Sequence, residues 1–408
     1  MQLVEQHVIN KIDPRYARID EMAFASKNLW NAANYLVRQS FIHRNIYLDN
    51  VKVFHQIKAH EAYQALPRKV SNQVLIQLHK AWVDFFKAME EWREHPERFT
   101  GRPKLPGYKH KITGRNLLVY ELDAIWKREL DQGLIAVSGL RVLVQTAQSR
   151  ETVDQVRIVP KGDHYVIEVV YRCEAVSAPV NPDLFVAADL GVNVLAALTS
   201  NKPGFIPRLV NGCPLKAINQ LYNRQRAHSQ KKLAKANRFT SRQLDRITTK
   251  RNRRVLHYLH TASRRIIELL VAEGIGTLII GKNVFWKQEV KMGKKHNQEF
   301  VQIPHARFID LLTYKAEMVG ICVVVTEESY TSKASFLDHD AMPVYGSNDQ
   351  AGHVFSGRRD GRWYRVKGRG PIHSDVNGSY NIARKVIPTA FDGPGIAAPA
   401  VRPRRLAV

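Results

Sequence analysis

A multidomain α/β fold is what this sequence predicts, on three observations. The chain has 408 residues, more than one small core organises. Short apolar runs of strand length, such as LFVAAD, TLIIG and ICVVV, alternate with long stretches of helical period. Hydrophobic residues make up 44%, the ordinary share for a globular chain. No apolar run reaches the ~18 residues of a membrane span, and MQLVEQHVINKID lacks the charged-then-apolar pattern of a signal peptide. Three cysteines, Cys173, Cys213 and Cys322, stand far apart. That spacing excludes a disulfide framework and fits a reducing cytoplasm. The expected partners therefore include no membrane.

The dominant feature is charge. Sixty-two Lys and Arg face 37 acidic residues, a net +25 and a pI near 10.0. A surplus of that size points to a polyanionic partner, nucleic acid first. Charge alone does not separate a nucleic-acid enzyme from an architectural protein.

The elements follow in order. Residues 3–12 read as a strand, and Pro14 opens a helical region in which Met22, Leu29, Trp30, Ala33, Leu36 and Val37 recur at helical spacing. A second helix spans about 68–94, with Val70, Val74, Leu78, Trp82, Phe85, Phe86 and Met89 on one face, the pattern of helix–helix core. In TGRPKLPGYKHK (100–111) two prolines and a glycine forbid a regular helix. There Arg102, Lys104 and Lys109 surround Tyr108, which suits phosphate contact with base or sugar stacking, or simply a solvated basic loop. Residues 112–180 read as β, with a hairpin turn at Lys161-Gly162-Asp163, and VSAPVNPD (176–183) as a boundary. LFVAADLGVNVLAALTS (184–200) gives strand, turn, strand. Helix follows to Glu273, broken near Asn237, and is basic all round near Arg251, Arg253 and Arg254 before an apolar stripe begins at Leu256. TLIIG (277–281) is a strand, 303–320 a helix, ICVVVTEE a strand, 336–371 irregular, and 375–387 a helix with Asp375 at its N-cap. The proline-rich tail from Pro388 is expected to be disordered.

Acids stand at three sheet edges. Asp189 ends VAAD, Glu327 and Glu328 end ICVVVT, and Asp375 opens the last helix. Each has a plain reading as a turn cap, a solvated pair or a helix cap. Taken together in a basic protein they fit a two-metal phosphodiesterase. Such a site needs a few carboxylates shared by two divalent ions about 3.5–4 Å apart.

DLGVN (189–193), TSRQLDRITTKRNRRVLHYLHTASRRII, TEESYTSKASFLD and HSDVNGSYNIARK (373–385), with AWVDFFKAM and GRPKLPGYK, resemble the TnpB (OrfB) proteins of insertion sequences. That family is related to type V CRISPR effectors, and the resemblance covers nearly the whole chain. It implies a wedge β-barrel from 1–14 and 96–181, a helical recognition domain at 15–95 and an RNase H-like RuvC nuclease domain from 182–335 and 372–387. A zinc-finger-position insertion at 336–371 and the tail 388–408 complete the scheme. It also implies a magnesium-dependent, RNA-guided DNA endonuclease of a transposable element. Such an enzyme takes a guide RNA from the transposon end and cuts double-stranded DNA beside a short adjacent motif, as a monomer on its RNA in a prokaryotic, nucleoid-associated setting. Asp189 and Asp375 match the first and last RuvC aspartates. The stretches 100–111 and around Arg251–Arg254 would lie along nucleic-acid backbones.

Two departures stand out. The family's middle glutamate position is Gly281 here, in TLIIGKNVF, and glycine binds no metal. After TSK the family's cysteine pairs are missing, so no zinc is expected. A glutamate one strand over, at 327 or 328, would supply the lost carboxylate. Strand parity along Val323, Val325 and Glu327 favours Glu327 if that face is the active one. The alternatives are a nuclease-inactive RNA-guided regulator, which Gly281 motivates, and a DNA-joining transposase, for which no separate end-binding domain is evident.

Overall fold

The computed structural model describes residues 1–282, 293–343, 354–391 and 402–408. The chain divides into two compact units, Met1–Cys173 and Glu174–Val408.

The first unit holds strand β1 (Gln2–Asn10) and helices α1 (Tyr16–Arg44), α2 (Asn50–Ile57), α3 (Glu61–Gln64) and α4 (Arg68–Glu94). Then come β2 (Leu118–Glu121), α5 (Lys127–Leu130), β3 (Leu134–Val137), β4 (Leu140–Gln145), β5 (Val153–Lys161) and β6 (His164–Arg172). β1 pairs antiparallel with β6 from Gln2–Arg172 to Asn10–His164, in a sheet ordered β1-β6-β5-β2. β3 and β4 form a separate hairpin. Helices and strands share one apolar core, from Ile9 and Ile19 through Leu78 and Trp82 to Val169. The helical stretch is thus an insertion into a β domain that has no core apart from it. Trp82, fully buried, packs edge-on against Phe41 and donates to Asn34 Oδ1 at 3.1 Å.

The second unit holds β7 (Asn181–Leu190), β8 (Val194–Ser200), β9 (Arg208–Asn211), α6 (Cys213–Lys235), α7 (Arg242–Ala272), β10 (Ile275–Gly281), α8 (Lys294–Val301) and α9 (His305–Glu317). It continues with β11 (Cys322–Thr326), β12 (Gly357–Asp360), β13 (Trp363–Val366), β14 (Ile372–His373), α10 (Ser374–Val386) and β15 (Arg404–Leu406). The main sheet runs β11-β10-β7-β8-β9-β15. β7, β10 and β11 are parallel, and the β7–β8 and β8–β9 pairs are antiparallel. Alternate residues along the strands serve two cores. Val186, Ala188, Leu278, Ile280 and Val323 pack with α7 and α9 on one face. Phe185, Ala187, Ile279 and Val324 pack with α10 on the other.

Several expectations change. α2 and α3 are helices too short for the periodicity to show. β11 ends at Thr326, so both glutamates lie past the strand in a turn held by Thr331, whose Oγ1 donates to the Glu328 carbonyl at 2.8 Å. Residues 357–371, read as irregular, instead carry β12 and β13, which with β14 form a three-stranded sheet anchored by buried Tyr364 and Ile372. His373, not Asp375, is the N-cap of α10, so Asp375 sits in the first turn. Residues 174–180 belong to the second unit, where Val176 and Ala178 donate to the carbonyls of Met318 and Val319. Of the tail expected to be disordered, 392–401 lies outside the described residues, and so does 344–353 of the 336–371 insertion. The end of the tail is a strand: β15 pairs parallel with β9, Arg404 opposite Arg208, and Leu406 packs on the core.

Candidate active site

Asp189 stands near the C-terminal end of β7, next after Ala187 on the face that carries α10. α10 lies close because small residues face the strand. Ser379 Oγ bonds the Ala187 carbonyl at 2.9 Å and Thr199 Oγ1 at 2.8 Å. A Cβ on Gly378 would meet Asp189 Oδ2 at 2.5 Å, so only glycine leaves room for this carboxylate. A glycine in mid-helix is otherwise unfavourable by about 1 kcal/mol, and it was the unread sequence signal for this approach.

The parallel register sets Ile279 opposite Val324 and Gly281 opposite Thr326. The site face of β11 therefore carries Val324 and Thr326, and two residues on it is Glu328 that turns inward. Its Oε2 lies 2.6 Å from where a Cβ of Gly281 would be. The carboxylate of Glu328 thus fills the space over the glycine. Parity had favoured Glu327, but that face of β11 is the one packed towards α7 and α9. Glu327 accepts from Lys385 Nζ and from the Ser329 amide, and lines a separate cavity of about 430 Å³ with Asp340, Met342 and Arg384.

Asp375 brings the third carboxylate. Arg359 of β12 donates to its Oδ1 at 2.8 Å. Arg359 was missed by sequence reasoning, although the basic run GRRDGR was its visible trace.

The electrostatics mark a crowded acid site. Burial pushes Asp189 well above the usual carboxylate range, and the charges of Glu328 and Asp375 push it further, against a smaller opposing effect of Arg359. Glu328 is pushed up to about 7 by burial, then by Glu327, with Lys385 opposing. For Glu327, burial disfavours the charge, but Lys385 and the Ser329 donors outweigh it and hold the group low. Asp189 thus feels both Glu328 and Asp375, while Glu328 also feels Glu327, whose carboxylate is turned to Lys385. Among the described residues no three His, Cys, Asp or Glu side chains form a ready-made metal cluster. The donor chemistry nonetheless fits a hard divalent cation. Three carboxylate side chains repel one another until positive charge arrives, and Arg359 supplies some of it.

The predicted basic residues divide. The loop 106–111 lies along α1. Trp30, Asn31, Asn34 and Arg38 donate to the carbonyls of Gly107, Lys109 and Pro106, and buried Lys27 donates to the Lys111 carbonyl. Tyr108 is half exposed with the Arg38 guanidinium 5.3 Å over its ring, and the Lys109 ammonium lies 4.8 Å over Trp30. Arg102 and Lys104 are exposed, as are Arg253 and Arg254. Arg251 differs. It is half-buried, and it donates to Asn219 Oδ1 at 2.8 Å and the Gln302 carbonyl at 2.6 Å, so it ties α7 to α6 and to the segment before α9.

No helix among the described residues is long and apolar enough to cross a membrane. A family model described as "Probable transposase", OrfB_IS605, matches residues 168–287. A second, "Cas12f1-like, TNB domain", matches 305–382. The "TnpB-like protein ORF457" of Acidianus two-tailed virus is 22% identical, over 91% of this chain and 83% of that protein. A solved "Cas12f1-sgRNA-target DNA complex" aligns with TM-score 0.52 at 11% identity, over 90% of this chain and 83% of the other, a likeness of fold. The two family models, the viral relative and the shared fold together make this chain similar to the TnpB (OrfB) proteins and to the Cas12f effectors.

Proposed function

We propose that the chain is an RNA-guided DNA endonuclease of a transposable element, with Asp189, Glu328 and Asp375 as its acids. The observation that carries the reading is Glu328. It reaches from the segment just after β11 into the space above Gly281, which supports it as the replacement for the carboxylate lost there. The strand order β9-β8-β7-β10-β11, with its parallel half at β7, β10 and β11, supports an RNase H-like reading of the unit. The Cas12f1 neighbour was solved as a complex with sgRNA and target DNA. With the net charge of +25, it supports RNA and double-stranded DNA as partners here.

Asp189, Glu328 and Asp375 would hold the divalent ions. Bound magnesium supplies an activated water and stabilises the leaving oxygen. The chain's own groups do the rest. Partial burial of Asp189 and Glu328 strengthens the charge interactions around them. Arg359 holds Asp375 in place and adds positive charge where a phosphate would arrive. Glu327 and Lys385 fasten the turn from which Glu328 projects. Arg102, Lys104, Tyr108 and Lys109 in one unit, and Arg253 and Arg254 in the other, would contact backbones.

The test is cleavage of a guide-matched plasmid by protein carrying its copurified RNA, with magnesium. Asp189→Ala and Glu328→Ala are expected to abolish cutting, while Glu327→Ala still cuts. If Glu328→Ala cuts like the parent, the relocated acid is wrong. A parent that binds the plasmid but never cuts it would instead make the chain an RNA-guided regulator.

A further inference from the structure

A second cationic site lies on the opposite face of the sheet from the acids, where α7 and α9 pack together. Lys315 of α9 is half-buried there, and its ammonium donates to the His260 carbonyl and to Ser263 Oγ, both at 2.7 Å. Both partners are neutral. On α7, Arg253, His257, His260 and Arg264 follow the i, i+4, i+7, i+11 spacing of one helix face, a stripe about 16 Å long at 1.5 Å per residue. Arg307 stands two turns before Lys315 on α9. The local acid Glu268 is engaged by Arg264 at 2.8 Å and Arg265 at 3.0 Å. Among the described residues neither Lys315 nor Arg307 has an acid as its ion-pair partner.

Like charges gathered this way work against the free protein. Burial and then Arg264 bring Lys315 down to about 8, with Glu268 opposing. Burial lowers His260 as well, followed by Lys315, Arg307 and His257. Leu259, Ile266, Phe308 and Leu312 bury the apolar seam, and Lys315 adds two cross-helix hydrogen bonds, but neither uses the charges of Arg253, Arg264 or Arg307. Cations gathered beyond what the packing uses are explained by an anion they meet.

We propose that the α7–α9 seam binds the sugar–phosphate backbone of a nucleic-acid strand, with Lys315, Arg264 and Arg307 as phosphate contacts and Arg253 continuing the track. The inference rests on the nucleic-acid reading above but not on cleavage.

Equilibrium binding of a single-stranded RNA and of a duplex DNA, each across a salt series, tests it with the full chain. Lys315→Gln and Arg307→Gln are each expected to weaken binding about three- to tenfold near physiological salt and to reduce the log–log salt slope by about 1. Lys315→Arg is expected to restore the slope. Loss confined to RNA assigns the seam to the guide, and loss confined to DNA assigns it to the target. Unchanged slopes for both nucleic acids would overturn the proposal. So would variants that melt well below the parent with binding intact, because the cations would then be structural. Altered slopes in a protein that cuts nothing would sink the nuclease reading and leave this one standing. Normal cutting with unchanged slopes would do the reverse.

Discussion

Gly281 and Glu328 share one patch of space, and that makes each sensitive to the other. A methyl at 281 would lie 2.6 Å from both Glu328 Oε2 and Ile382 Cδ1. Gly281→Ala is therefore expected to cost about 1–3 kcal/mol by overpacking. It should lower the melting temperature and cut plasmid cleavage together, because Ile382 is core and Glu328 must turn away. Glu327 behaves differently. Glu327→Gln keeps the shape that bonds Ser329 but takes the countercharge from the largely buried Lys385, a cost to stability rather than to the site acids, so cleavage is expected to stay within about tenfold of the parent. Glu328→Gln removes a charge at the site itself and should cost about a hundredfold or more. Paired initial-rate measurements on the two variants read this contrast, and equal losses would contradict it.

Among the elements, α1, β6 and the segment before β2 meet at Asp20. Arg115 grips its carboxylate through Nε at 2.9 Å and Nη2 at 2.7 Å, and Tyr165 Oη donates at 2.7 Å. Arg115 first, then Tyr165, hold Asp20 below its ordinary value against burial. A lowered acid binds fewer protons folded than unfolded, so its stabilisation is present above the unfolded value of 3.8 and is lost as pH falls through the folded one. Asp20→Asn should destabilise the chain by about 1–3 kcal/mol at neutral pH. In urea titrations the gap from the parent should close on acidification; a constant gap would point to shape rather than charge. The sequence showed the long helices α1 and α4 plainly, because their apolar residues repeat over several turns. β12 and β13 were hidden, since GRRD and WYRV hold few buried residues and take their sheet from each other. The arrangement of the proposed acids was legible only in part. Alternation along β11 says which residues share a face but not which face meets α10, and that choice depends on register with β10.

At the scale of the molecule, the net +25 makes salt the most direct probe. Nucleic-acid affinity is expected to drop about a thousandfold or more between 50 and 200 mM salt if six or more phosphates are neutralised. A shallow dependence in filter binding would show that the surplus charge does not face the ligand. The short strand β15 has a consequence of another kind. Its three residues cover β9, and two of them are arginines. Removing 402–408 would leave a bare hydrogen-bonding rim, the kind of surface on which separate molecules stack and precipitate. A chain lacking 402–408 should scatter light sooner on warming than the parent.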